Sequence, residues 1–321
     1  MLQILADGLI LGSIISLGAI GLSFTFSIFR FSNFSHGELL AWGAYLGLVI
    51  NAFLSKTLQG LQTSIYPFSF GWDFAIAMPI AAAATALLAL LLDAILFRRL
   101  RKQGSITLVI ASFGASLALR NVLQYWQGGV PQYYSPNLQM AMNVVPRSFH
   151  GGLRFTPDQL LVLGLTLLIV SGLHAFLRYS VLGRSMRATA LNPELARVTG
   201  IDPEKVFRAA WVIGSVLATV AGMFVGLTAQ LRPSMGSELL LPLFAAVIVG
   251  GIGFGISSLW GAVVGGIGIG LAESASVNLI GSPYRASTAF AIVILVLLVK
   301  PDGLFGGGLL VMKRFGCLAG L

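Results

Sequence analysis

The residues able to do chemistry either stand singly inside apolar runs or gather in one polar stretch between residues 178 and 208. His36, His150 and His174 never approach an H-E-x-x-H spacing, Cys317 is the single cysteine, and no Gly-Lys pair occurs. The sequence therefore carries no histidine-pair zinc motif, no thiol metal cluster and no Walker A phosphate loop. A metal at His36 would lack its other ligands. Acids, bases and nucleophiles do not cluster, so a membrane-bound enzyme finds no candidate centre.

What remains is a set of polar groups in apolar surroundings: Asn33, Ser35, His36 and Glu38, then Asp93, Arg120 and Glu273. An ionised side chain at the bilayer centre costs roughly 2.5 to 3.5 kcal/mol on insertion scales, so such groups are functional candidates by default. Asp93 lies about a turn from Arg98, Arg99 and Arg101 and is expected to form an interfacial salt bridge. Arg120 and Glu273 lack obvious local partners and are expected to pair across the bundle as an outer gate. Asn33 or Ser35 is placed to cap a helix, with Glu38 favouring its N-terminal dipole; Asn33, His36 and Glu38 are equally placed to line a passage.

The elements that must hold these groups are written in hydropathy. The chain has 321 residues, 56% of them hydrophobic and only 10% charged, and a mean hydropathy of +0.89. A soluble domain carries roughly 25% charge, which excludes a water-soluble globular protein. Apolar runs long enough to cross a hydrocarbon core of about 30 Å lie at 8–28, 37–54, 74–97, 106–126, 159–178, 209–231, 239–256, 258–280 and 286–300. They are continuous rather than alternating, so helices are expected and a membrane barrel is not. The fold class is all-α: a polytopic membrane helix bundle of about 8–9 transmembrane segments, some of them broken or re-entrant.

Charge sets the orientation, because cytoplasmic loops retain Lys and Arg. Arg98 to Lys102, the six basic residues of 178–208, and Lys300, Lys313 and Arg314 all fall on one side of a nine-span topology, together with Arg30. The N-terminus then lies outside. The excess of basic residues, +9 at pH 7, is thus topological and does not mark a nucleic-acid surface. The N-terminal stretch lacks a basic n-region and a cleavage site, and is expected to stay as a membrane segment.

Segments 37–54 and 239–256 are short and glycine-bearing, as broken or re-entrant helices are. Their sequences GELLAWGAYLG and SELLLPLFAAVIVGG are loosely similar and would run in opposite senses, which invites an inverted repeat. Glycine pairs such as Gly8/Gly12, Gly251/Gly255 and Gly266/Gly270 suit close helix approach.

The polar stretch RYSVLGRSMRATALNPELARVTGIDPEKVFR is long for an inner loop. Asn192 is a good N-cap, Pro193 suits the first helical position, Glu194 sits at the positive helix end, and Gly200 can close the C-terminus. Asp202 and Pro203 repeat the start signal. A short, stiff helix is expected across the inner ends of the spans, where a cytoplasmic partner could grip it.

The spacing Glu194, Ala196, Gly200 resembles the E-A-A-x-x-x-G loop of ABC importer permeases, whose helix seats in a groove of the ATPase subunit. The resemblance extends over most of the chain. DGLILGSIISLGAIGLSFTFSIFRFSNFSHGELLAWGAYLG is similar to the opening of the high-affinity branched-chain amino-acid ABC permease family, with its NFAHGE signature. LDAILFRRLR, LGRSMRATALNPELARVTGIDPEKV, FAAVIVGGIGFGISSLWGAVVGGIGIGLAESAS and AFAIVILVLLVKPDGLFG resemble its further motifs in the same order. Departures stand at Ser35 for Ala, Asp93 for Glu, Phe97, Arg98 and Arg99 for Tyr-Arg-Pro, and Arg120 for Gln.

The resemblance implies a single ABC importer permease domain over 1–321, in a bacterial inner membrane, with a cytoplasmic coupling loop at 178–208. Arg184, Arg187, Asn192, Glu194, Ala196, Arg197 and Gly200 would couple it to the ATPase. The partners implied are a second permease subunit, two ABC ATPase subunits holding ATP and Mg, and a periplasmic solute-binding protein; this chain would hold no cofactor and be no enzyme. The expected cargo is branched-chain or other hydrophobic amino acids, with urea or short amides as the alternative. An ion-coupled secondary transporter is the contrasting class, but its carboxylate requirement is met only loosely, by Glu273.

Overall fold

The first apolar run becomes a 28-residue helix, α1 (Leu2–Phe29), and its side chains are buried over nearly the whole circumference. A helix apolar all round belongs at the centre of a bundle. Its hydroxyls are satisfied locally: Ser13, Ser16 and Thr25 each donate to a carbonyl three or four residues back. The computed structural model describes residues 2–58, 65–134, 142–145, 153–251, 256–300 and 303–304. His150, Cys317, Lys313 and Arg314 lie outside the described residues.

Around α1 stand α2 (Ser35–Thr57), α3 (Trp72–Gln103), α4 (Ser105–Gln127), α5 (Pro157–Tyr179), α8 (Pro203–Thr228), α10 (Ile256–Leu279) and α11 (Arg285–Val299). Between α5 and α8 lie the short α6 (Val181–Leu191) and α7 (Pro193–Val198). A further helix, α9 (Met235–Gly250), has only 16 residues. Among the described residues, eight helices are long and apolar enough to cross a membrane. The run expected at 239–256 is the exception, beginning earlier and ending at Gly250. An antiparallel pair, β1 (Met142–Val145) with β2 (Leu153–Phe155), adds a small feature that hydropathy did not foretell. Helix α3 runs past the expected end at 97 through one π turn at Asp93–Phe97 and closes as a 3-10 turn at Arg101–Gln103.

Two helices begin inside the bundle. His36 Nε2 lies 3.0 Å from the carbonyl of Gly18, eleven residues before the end of α1 and so about 16 Å along it at 1.5 Å per residue. After Arg30, whose φ is +55°, the connector 30–34 therefore climbs back into the bundle. Ser112 of α4 meets it there, its Oγ accepting from the Phe34 N–H at 3.2 Å. Helix α9 starts inside in the same way from the opposite end, and the two N-termini touch at Gly37 and Gly236, where a Cβ on either would collide with the other's backbone.

The packing repeats with inverted sense. Helices α1, α2, α3 and α4 correspond to α8, α9, α10 and α11: α1 packs along α10 as α8 packs along α3, α2 along α8 as α9 along α1, and α2 against α4 as α9 against α11. The relation suggested by GELLAWGAYLG and SELLLPLFAAVIVGG is thus carried by whole helices.

Backbone contact at glycine holds the α1/α10 seam. A Cβ on Gly270 would meet the Gly8 carbonyl at 2.7 Å, whereas one on Gly268 of the same helix would meet nothing within 4 Å. Apolar side chains such as Ile106, Ile110 and Phe113 on α4, and Phe290, Ile294 and Leu298 on α11, face outward, as lipid-facing positions do.

The seam generates a paired test. Gly270→Ala should destabilise the folded protein by about 1–3 kcal/mol through overpacking. Gly268→Ala should be neutral or slightly stabilising, because Ala is the better helix former by about 1 kcal/mol. Unfolding of the two variants in detergent, followed side by side, checks this ordering.

Candidate functional site

Local sequence builds the short helices between α5 and α8 almost completely. Ser180 caps α6, its Oγ accepting from the Gly183 N–H at 2.9 Å. Asn192 then caps α7, its Oδ1 accepting from the N–H groups of Glu194 and Leu195 at 3.0 and 3.1 Å. Pro193 occupies the first position. At the other end Gly200 takes φ +86°, its N–H donates to Arg197 O at 3.1 Å, and the Ile201 N–H donates to Ala196 O at 3.0 Å. These two bonds form a Schellman closure, which needs a left-handed residue at the glycine. Asp202 caps α8 with a 3.0 Å bond from the Glu204 N–H. All four expected signals at Asn192, Pro193, Gly200 and Asp202 act as read.

The rest of the bundle clamps this unit. Arg30, just past α1, donates from Nη2 to Leu191 O at 2.8 Å and to Ala190 O at 3.4 Å, covering the negative end of α6. Arg187 turns inward and donates to Leu177 O at the end of α5. Met186, Ala190 and Ala196 are buried. At the exit, Arg101 pairs with Asp93 and, at 3.2 Å, with Glu204 in the first turn of α8. Its guanidinium stacks over Phe207 at 4.5 Å and Phe29 at 5.1 Å. The expected salt bridge of Asp93 is therefore made with Arg101, and it ties α3 to both α1 and α8.

The candidates 184–200 divide by direction. Arg184, Glu194, Arg197 and Gly200 are exposed, whereas Arg187 and Ala196 face the bundle. Sequence reasoning missed the exposed apolar stripe between the charges: Leu191, Leu195 and Val198, exposed by 60%, 62% and 84%. Leu195 and Val198, three residues apart on α7, were the available signal there; Leu191 precedes the break at Asn192.

In the membrane, Asn33 is fully buried and its Oδ1 accepts from both the N–H and the Oγ of Ser35 at 3.1 and 2.7 Å. Asn33 is thus the capping residue and Ser35 its donor. Glu38 is buried beside Gly236, and neither carboxylate oxygen has a hydrogen-bond partner among the described residues. Trp42, one turn along α2 from Glu38, donates to Leu119 O at 3.1 Å. That contact sets the neighbouring Arg120 near enough for its charge to act on Glu38 without a direct ion pair.

The expected Arg120–Glu273 gate is not formed. Glu273 Oε2 accepts instead from Arg285 Nε at 2.7 Å, because the tight turn between α10 and α11 folds a residue read as loop charge back onto α10. Glu273 and Arg285 line a cavity of about 440 Å³ at the end of the bundle opposite the basic loops, with Arg232 and Glu238 beside them. Nearby, the segment after α4 folds into the mouth: Gln132 and Leu231 exchange backbone hydrogen bonds of 3.0 and 2.8 Å, and the Tyr134 hydroxyl donates to Ala44 O at 2.6 Å. Burial pushes the Tyr134 phenol above its ordinary range, so it remains a donor. Among the described residues no group of three or more His, Cys, Asp or Glu is arranged to hold a metal ion.

Comparison with known proteins adds the family. The chain is 32% identical to the high-affinity branched-chain amino acid transport system permease protein LivH of Escherichia coli K12, over 95% of each chain. It is 31% identical to the protein of the same description from Salmonella typhimurium, again over 95% of each, and 30% identical to BraD of Pseudomonas aeruginosa over 95% of each. No solved structure matches the chain at a significant level. The family model described as "Branched-chain amino acid transport system / permease component" matches residues 4–299, and this multi-pass membrane protein belongs to that family.

Proposed function

We propose that this chain is the permease subunit of an ATP-driven ABC importer in a bacterial inner membrane, working with a second permease subunit and two ATPase subunits. A periplasmic binding protein delivers branched-chain or other hydrophobic amino acids to it. The names of its relatives support the cargo. The observation that carries the coupling role is the clamped pair of short helices at the basic end: α6 and α7 are capped at every terminus, fastened to α1 by Arg30 and to α5 by Arg187, and joined through the tight connection capped by Asp202 to α8. A stiff part so fastened passes a push from the cytoplasm into three spans at once.

On this reading the exposed face Arg184, Glu194, Leu195, Arg197 and Val198 meets the ATPase. ATP and Mg belong to that partner, and this chain supplies shape and leverage without hydrolysing nucleotide. Leu191, Leu195 and Val198 provide the apolar centre of the contact and the surrounding charges its rim.

Three outcomes are expected. Leu195→Asp should weaken retention of the ATPase subunits on co-purification by about tenfold or more, the cost of losing a central apolar contact, while the permease itself still inserts. Gly200→Pro, which cannot take φ +86° and breaks the Schellman closure, should leave basal ATP hydrolysis but cut amino-acid uptake; unaltered uptake in both variants would remove the loop from the mechanism. In vesicles of the assembled transporter, uptake should persist when ion gradients are collapsed and stop when internal ATP is withdrawn. The reverse dependence would identify a secondary transporter.

A further inference from the structure

The cavity at the end opposite the basic loops has a volume of about 440 Å³, within the range of about 300–1,000 Å³ usual for small-molecule sites. Its charged lining is balanced: Arg232 and Arg285 against Glu238 and Glu273. Such a lining suits neither a simple cation nor a simple anion.

The two signs are used differently. Glu273 is almost fully buried and accepts from Arg285 through Nε. The η nitrogens of Arg285 make no hydrogen bond among the described residues, and a fork held by Nε in this way is free to take a carboxylate with two parallel bonds. Glu238 is exposed toward the opening, and only Oε1 is engaged, by Ser234 Oγ at 2.6 Å. Its second oxygen, Oε2, is left to accept from an ammonium group. Leu11, Ile14 and Leu239 complete the wall with apolar surface.

From this juxtaposition we infer that the cavity is a binding site for a hydrophobic α-amino acid in zwitterionic form, with Arg285 taking the carboxylate, Glu238 the ammonium and the α1/α9 wall the side chain. Glu273 is a positioning residue that aims Arg285. The inference rests on the amino-acid importer reading and adds to it a place on the permease itself where cargo is held after release from the binding protein.

The test uses the assembled transporter in nanodiscs without binding protein, with radiolabelled L-leucine as the probe. The competitors are 4-methylpentanoate, which lacks the ammonium, and 3-methylbutylamine, which lacks the carboxylate. Wild type should bind leucine and discriminate against both analogues by about tenfold or more. Arg285→Gln should lose discrimination against the amine, and Glu238→Gln discrimination against the acid. Glu273→Gln should resemble Arg285→Gln while Glu273→Asp restores selectivity, a pattern that general unfolding does not produce. If sealed vesicles of the same transporter import leucine with ATP and binding protein present, yet its nanodiscs bind none without binding protein or keep both discriminations in the variants, the site is overturned and the importer reading stands. If the vesicles import no amino acid at all, the importer reading itself fails.

Discussion

The fold depends on two helix N-termini meeting within a bundle of membrane-spanning helices. The first N–H groups of α2 and α9 have no helical partner and must find one elsewhere. Asn33 supplies one for α2 through its side chain, and backbone bonds from the Met235 N–H to Arg232 O and the Glu238 N–H to Ser234 O serve α9. Only glycine at both Gly37 and Gly236 lets the two starts touch. Once that contact is fixed, each connector must climb back into the bundle, one from each end, and the remaining helices fall into their inverted pairing.

That inversion puts the clamped short helices and the charged cavity at opposite ends of shared helices. Helix α8 begins with Glu204, held by Arg101 at the clamped end, and ends with Val225 and Thr228 in the wall of the charged cavity. Its 26 residues span about 39 Å at 1.5 Å per residue. Helix α1 has the same property: Arg30 at its end grips α6, while Leu11 and Ile14 line the cavity. A displacement of α6 and α7 moves two rods that already reach the far mouth. The glycine seams, where backbone lies on backbone, leave little slack to absorb such a motion.

What could be read from sequence was what is local. Asn192, Pro193, Gly200 and Asp202 act through residues two to five positions away, and each does what its type predicts. Hydropathy located the spans, because apolar length is a one-dimensional quantity. The rest depended on closure in three dimensions. Arg285 looked like a loop charge until the α10–α11 turn laid it on Glu273, and Arg120 looked available to Glu273 until Trp42 fixed α4 beside α2. The π turn at Asp93–Phe97 lies between Asp93 and the Arg101 it pairs with eight residues on, a feature invisible to periodicity. The exposed Leu191, Leu195 and Val198 were hidden by apolar residues elsewhere in the same stretch that turn inward, such as Met186.

Glu38 shows how the bundle tolerates a charge at its centre. A buried carboxylate without hydrogen bonds is costly in an apolar medium, yet Glu38 sits where two helices begin. Each start carries roughly half a unit of positive charge, and the Gly37–Gly236 contact brings the starts of both α2 and α9 near Glu38. Arg120 adds a second source from α4. Both sources oppose the cost of burial, and the part that comes from α9 depends on the Gly37–Gly236 contact that holds the two helix starts together. Separating α2 from α9 would carry one of the two dipoles away from Glu38 and leave the start of α2 and Arg120 alone to offset its burial.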